Sequence, residues 1–202
     1  MIPAIVLAAG ASMRMGRPKP LLGAGNRTFV RRILDTLHSA GVADAVVVVR
    51  PGHHDTAAEV GAAGALAIVN PAPDAGQLSS LLAGLDALDT PEVDAVLVTL
   101  VDVPLIQPST VRTLLARAAA SAAPIVRAVH RGRHGHPVIF KRAVFDALRR
   151  ADPAVGAKAV FAGVTVENVE VDDPGVVDDI DTPEDYETLT GATANLPRTE
   201  DV

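Results

Sequence analysis

Two cations and three carboxylates sit where this sequence could do phosphate chemistry. Arg14 and Lys19 lie in the stretch AIVLAAGASMRMGRPKPLL, residues 4–22, where an apolar run opens directly into a loop of small residues, glycine and proline. Gly10 lets backbone N–H groups approach a ligand with no Cβ in the way. Arg14 can fork onto phosphate oxygens, and Lys19 can supply a point charge. Pro18 and Pro20 stiffen the chain around Lys19. A solvated surface loop whose charges keep the protein soluble accounts for the same residues. Asp102 closes a later apolar run. Asp179 and Asp181 alternate around Ile180, so an extended segment points both carboxylates the same way. Asp181 also precedes Thr182-Pro183, a good helix start, so an N-cap role competes with a ligand role.

Known phosphate loops do not match. A Walker A loop has four residues between its glycines and then Gly-Lys-Ser/Thr, whereas five residues separate Gly10 from Gly16 and Lys19 stands alone. No G-x-G-x-x-G is present, and Arg14 occupies the last position of what would be a nucleophile elbow.

These residues need a scaffold, and the hydrophobic pattern supplies one. Continuously apolar runs at Ala4–Ala9, Ala45–Val49, Leu66–Asn70 and Ala95–Asp102 read as strands buried on both faces. Helical patterns fall between them: Phe29, Val30, Ile33, Leu34 and Leu37 after Thr28; a small-residue helix near 55–63; Leu78 to Leu88; and a helix opened by Pro108. Strands are expected at PIVRAV and PVIF, flanking a loop HRGRHGH, then a helix over 141–150 and a half-exposed strand over 164–171. The expectation is a single-domain, three-layer α/β/α fold, Rossmann-like, with a mostly parallel sheet over 1–190, an added antiparallel piece, and a disordered tail over 191–202. In such sheets ligands bind beyond the carboxyl ends of the strands. That rule gathers the loop after Ala9, the loop after Asn70, Asp102 and the RGRHGHP turn at one edge.

Composition narrows the function. A net charge of −6 argues against a general nucleic-acid binder. Aromatics are 2% of residues, so stacking cannot be the main recognition device. The absence of cysteine removes disulfides, thiolate metal sites and cysteine nucleophiles. No apolar run is long enough to span a bilayer and no leader pattern opens the chain, so a cytoplasmic soluble protein is expected. His130, His134 and His136 lie near one another but form no H-E-x-x-H motif, and a polar acceptor-side loop is favoured over a metal cage.

Taken together, LAAGASMRMGRPKPLL, NPAPDAGQLSSLLAGL, LVDVPLI, GHPVIF and DIDTPEDY resemble, in order, the signature of the molybdopterin nucleotidyltransferase-like (MobA-like) family, within the glycosyltransferase-A-like NTP-transferase superfamily. LAAG and GHPVIF look most like the branch that transfers CMP to molybdopterin. The guanylyl branch more often has LAGG, and Asp-Lys where this chain has Pro18-Lys19. One departure is Lys158, in Gly156-Ala157-Lys158, where the family carries arginine; the charge is kept and the fork is lost.

The resemblance implies attack by an acceptor phosphate oxygen on the α-phosphorus of an NTP, with pyrophosphate leaving. It implies that Leu7, Ala8, Ala9, Gly10, Arg14 and Lys19 hold the nucleotide, with Arg14, Lys19 and Asp102 serving catalysis. Asn70, Gly76, Gln77, Ser79 and Ser80 would meet the nucleoside, although Ser79 or Asp74 could simply cap the following helix. Asp102 would hold Mg²⁺, with Asp179 or Asp181 as a second carboxylate. Arg131, Arg133, His136 and Lys158 would face the acceptor. CTP is favoured over GTP, and the implied partners are molybdopterin or another phosphorylated acceptor and, transiently, molybdenum-enzyme maturation proteins. Transfer to a sugar phosphate, a non-catalytic nucleotide-binding module and a cofactor-carrying chaperone are the competing functions.

Overall fold

Strands and helices alternate along most of the chain: β1 (Ala4–Ala8), the short strands β2 (Gly23–Ala24) and β3 (Arg27–Thr28), α1 (Phe29–Ser39), β4 (Ala45–Val49), α2 (His54–Ala62), β5 (Leu66–Val69), α3 (Gln77–Leu88), β6 (Ala95–Leu100), α4 (Pro108–Ala120), β7 (Ile125–His130), β8 (Arg133–Lys141), α5 (Phe145–Arg149), α6 (Lys158–Phe161), β9 (Val166–Glu170) and α7 (Pro183–Thr190). This is a computed structural model, and it describes residues 1–11 and 17–190. Arg14 and the tail 191–202 lie outside the described residues.

The main sheet has strand order β5-β4-β1-β6-β8-β7-β9, and the pairings make every strand parallel to β1 except β8. Successive β1 residues feed opposite cores. Ala4, Val6 and Ala8 join α1 and α4 residues such as Phe29, Ile33 and Leu114 on one face. Ile5 and Leu7 join Leu81 and Leu85 of α3 and Leu148 of α5 on the other. Helices on both faces explain why the central strands read as unbroken apolar runs. Thr28 caps α1 by accepting from the Arg31 amide at 3.2 Å. Gly84 lets α3 press onto β1, since a Cβ there would stand 2.5 Å from Ile5 Cγ2. That contact brings the N-terminus of α3 to the carboxyl edge of the sheet. Among the described residues no helix is long and apolar enough to cross a membrane.

The later elements depart from the sequence reading. HRGRHGH is not a loop. β7 and β8 form a hairpin whose register runs to His130 opposite Arg133. Its two-residue turn, Arg131 (φ 50°) and Gly132 (φ 76°), has both residues left-handed, as such tight hairpins require. Gly135 sits inside β8 because a Cβ there would overlap the Val176 carbonyl oxygen. The helix expected over 141–150 is shortened to α5, behind a 3₁₀ turn at Arg142–Val144. Arg142 is held back: its amide donates to Asp94 O and its guanidinium to Val93 O, each at 2.8 Å. β9 pairs parallel to β7, so β8 alone runs against the sheet.

Candidate active site

β1 ends where its neighbours end, and the chain then leaves the sheet at Ala9 and Gly10. A cleft of about 400 Å³ opens there, lined by Leu7, Ala8, Ala9, Gly10, Lys19, Gly76, Gln77, Ser80, Asp102 and Asp181. Among the described residues no atom lies within 4 Å of where a Gly10 Cβ would stand.

Lys19 opens a 3₁₀ turn, Lys19–Leu21, stiffened by the flanking prolines. Its ammonium forms an ion pair with Asp181 and stands 3.8 Å from Asp102 Oδ2. The Lys19 side chain is only 13% exposed, against 50% for Asp181. Asp102 lies two residues beyond the end of β6, and its carbonyl accepts from the Ile180 amide at 2.8 Å. Ile180 is fully buried. This single bond fastens the segment carrying Asp179 and Asp181 beside Asp102. Burial pushes the Asp102 carboxyl up to about 6; nearby Lys19 opposes the rise, and Asp179 and Asp181 add to it. Asp179 is raised for the same first reason, burial, with Asp181 adding to it. Asp102 Oδ1 is buried and has no hydrogen-bond partner among the described residues.

Asp181 does not cap α7. Thr182 and Asp185 do so reciprocally: Thr182 Oγ1 accepts from the Asp185 amide (3.1 Å), and Asp185 Oδ2 accepts from the Thr182 amide (2.9 Å). The Asp181 carboxylate is thereby left to Lys19.

The fold implies a divalent cation, and the carboxylates suit one. They are hard oxygen donors, gathered around one ammonium, with a buried Asp102 oxygen that has no partner among the described residues. Among the described residues no group of three or more His, Cys, Asp or Glu is arranged to hold a metal by itself. The arrangement fits an ion completed by phosphate oxygens and water, the usual setting for Mg²⁺.

Asn70 and Ser79 stand behind the cleft rather than on its lining. Asn70 Nδ2 donates to Ser79 Oγ at 2.8 Å and Ser80 Oγ at 3.0 Å, and its Oδ1 accepts from the Ala72 amide at 2.9 Å. Asn70 thus ties the loop after β5 to the start of α3. Gly76 (φ 93°) precedes α3 with no side-chain cap, so neither Ser79 nor Asp74 caps it. The uncapped amides point anion-binding donors at the cleft.

A second cavity, about 680 Å³, shares Leu7 and Gln77 with the first and contains His136 and Lys158. Strand alternation puts His134, His136, Val138 and Phe140 on this face of β8. Arg133 falls on the other face, where it donates to Val177 O at 3.1 Å and lies near Asp179. Arg131 occupies the exposed hairpin tip. The four expected acceptor residues are therefore split, because β8 already begins at Arg133. Burial holds the His136 imidazole down at about 4, so it is neutral near pH 7. Arg127 and His134 also line this cavity, and Arg127 lies 5.1 Å from the Phe161 ring centroid. Sequence reasoning missed Arg127 and placed His134 only in an acceptor-side loop, although period-two counting along β8 puts it on this face once the strand is recognised.

The sheet order, Gly10 just beyond β1 and Asp102 just beyond β6 define an α/β protein of the nucleotidyltransferase fold. Residues 4–171 match the MobA-like NTP transferase domain, and the chain belongs to that family. It is similar to Rv0371c of Mycobacterium tuberculosis H37Rv, at 29% identity and a TM-score of 0.79, covering 95% of this chain and 99% of that one. The same mycobacterial protein has been solved in complex with manganese, with a TM-score of 0.77. The chain is also 29% identical over 192 residues to the nicotine blue oxidoreductase of Paenarthrobacter nicotinovorans, covering 91% of this chain and 93% of that protein. Over 130 residues, 59% of this chain, it is 38% identical to the bifunctional protein GlmU of Xanthobacter autotrophicus. It spans only 27% and 28% of the length of the two GlmU relatives it matches.

Proposed function

We propose that this chain is a divalent-metal-dependent nucleotidyltransferase that moves CMP from CTP to the phosphate of molybdopterin, releasing pyrophosphate. One observation carries the reading: a nearly buried lysine ammonium held between Asp102 and Asp181 at the mouth of a glycine-walled cleft. Such a cluster is suited to a polyanion and its counter-cation, and a surface lysine kept for solubility would not be buried this way.

In this reading the acceptor oxygen forms a bond to the α-phosphorus, and the bond from that phosphorus to the α,β-bridging oxygen breaks. Lys19 leaves its carboxylate partners for the phosphates and stabilises the charge that grows on departing pyrophosphate. Backbone amides at Gly10 and the start of α3 bind phosphate or base edges without side chains in the way. Asp102 and Asp181 would hold Mg²⁺ or Mn²⁺, with Asp179 close by. When bound, the ion neutralises phosphate charge and aligns the triphosphate. The adjoining cavity seats the acceptor, with Lys158 supplying a cation and neutral His136 a hydrogen-bonding wall.

The test is pyrophosphate release from each of the four NTPs with Mg²⁺ or Mn²⁺, with and without molybdopterin. Release with CTP and molybdopterin supports the full proposal. Release with GTP, or with a sugar phosphate as acceptor, keeps the transferase and corrects its substrates. The whole-length similarity to nicotine blue oxidoreductase favours one second reading, an oxidoreductase using the same cavities; it predicts no pyrophosphate from any NTP.

A further inference from the structure

Asp173 is a fully buried carboxylate that touches neither cavity. It is 2% exposed. Its Oδ2 accepts from the Gln107 amide at 2.9 Å and from Thr110 Oγ1 at 2.6 Å, and its Oδ1 accepts from the Gly175 amide at 3.1 Å. Gln107 precedes α4 and ends the loop that begins at Asp102. Gly175 belongs to the turn that leads to Asp179 and Asp181. The two backbones lie in direct contact there: a Cβ on Gly175 would stand 2.5 Å from Leu105 O. The segments are therefore fastened at both ends, by Asp173 to Gln107 and Thr110 at one end and by the Ile180 amide to the Asp102 carbonyl at the other.

We propose that Asp173 is a positioning residue that sets the separation of Asp102 from Asp179 and Asp181, and through it the affinity for the divalent ion. The proposal rests on the carboxylate site described under Proposed function. A carboxylate that accepts three hydrogen bonds without meeting solvent does more than cap a turn. It anchors two segments, residues 102–107 and 173–181, that are remote in sequence and each carry ligand candidates. Outer-shell partners of this kind act on metal affinity through the ligands they orient.

Manganese binding to the whole chain, followed by calorimetry or water-proton relaxation, tests this without turnover. Asp173→Asn keeps the shape but turns one acceptor into a donor facing an N–H group. Its manganese dissociation constant is expected to rise about 10-fold or more. Thr110→Val removes one of the three bonds and is expected to shift affinity in the same direction by a smaller factor; it carries the test if Asp173→Asn does not fold. Leu148→Ala, on the far side of the sheet, supplies a destabilised comparison whose manganese affinity stays that of the wild type. Wild-type affinity in both Asp173→Asn and Thr110→Val overturns the positioning role alone. Failure of the wild type to bind manganese overturns both this role and the metal site on which it rests.

Discussion

The Lys19 ammonium stands 3.8 Å from Asp102 Oδ2, and the two side chains are 13% and 25% exposed. A cation and an anion so placed, with Asp181 completing the group, offset part of each other's desolvation cost in the crevice.

The Asp102 carboxyl makes the ligand-free protein pH-sensitive. Its folded-state value is raised from 3.8 to about 6. A raised carboxyl favours folding fully below the unfolded value, and that contribution is lost as pH rises through about 6. Asp102→Asn is therefore expected to be more stable than wild type at pH 8 by up to ~2 kcal/mol, and to show little advantage at pH 4. The same variant should turn over ~10²-fold more slowly or worse. Denaturant melts at the two pH values, beside an activity assay, check both halves. A variant less stable at pH 8, or one with normal turnover, contradicts the account of Asp102.

His136 titrates the other way. Burial lowers it from 6.5 to about 4. A depressed histidine favours folding above its unfolded value, and this is lost as pH falls through about 4. An NMR titration should find the His136 ring neutral down to about pH 5. Acceptor affinity between pH 6 and 8 should then carry no contribution from its protonation. A midpoint near 6.5 would return His136 to the role of an anion-binding cation.

Two glycines should separate binding from folding. Gly10→Ala brings its methyl within 4 Å of no atom of the described residues, so stability should change by ~0.5 kcal/mol or less while NTP affinity falls. Gly135→Ala drives a methyl into the Val176 carbonyl and should cost ~2 kcal/mol or more. Thermal melts and nucleotide titrations of the two variants distinguish these patterns; equal effects on both properties would contradict them.

Calorimetric titration with CTP and GTP tests the base. Tighter CTP binding is expected. Tighter GTP binding would remove the cytidylyl assignment and leave the transferase reading in place.

The fold was largely legible because its signals are local. Val46 to Val49 and Ala4 to Ala8 are continuous apolar runs, and such runs need a sheet covered on both faces. The place of Asp102 on the cleft lining was legible for a related reason, since a carboxylate just beyond an apolar strand is carried to the carboxyl edge of the sheet. Long-range contacts hid the rest. Gly135 looked like a loop residue because the Val176 backbone that demands it lies 41 positions on in the chain. The split of Arg133 from His136 follows from a strand that this glycine disguised. Asp181 left a cap role and a ligand role in competition from sequence alone, and the Thr182–Asp185 pair takes the cap role. Asn70 looked like a nucleoside contact, yet its amide is spent on Ser79, Ser80 and Ala72. Nothing in the spacing foretold that Lys19 would meet a carboxylate 162 positions away.

The most direct measurement is the single-turnover rate of Lys19→Ala at saturating NTP, divalent metal and acceptor, with a denaturant melt alongside. If Lys19 stabilises charge on departing pyrophosphate, the chemical rate falls ~10²-fold or more even when nucleotide is bound, while the fold persists. An unchanged single-turnover rate together with unchanged NTP affinity would contradict the account and leave the Lys19–Asp102–Asp181 cluster as a structural ion pair.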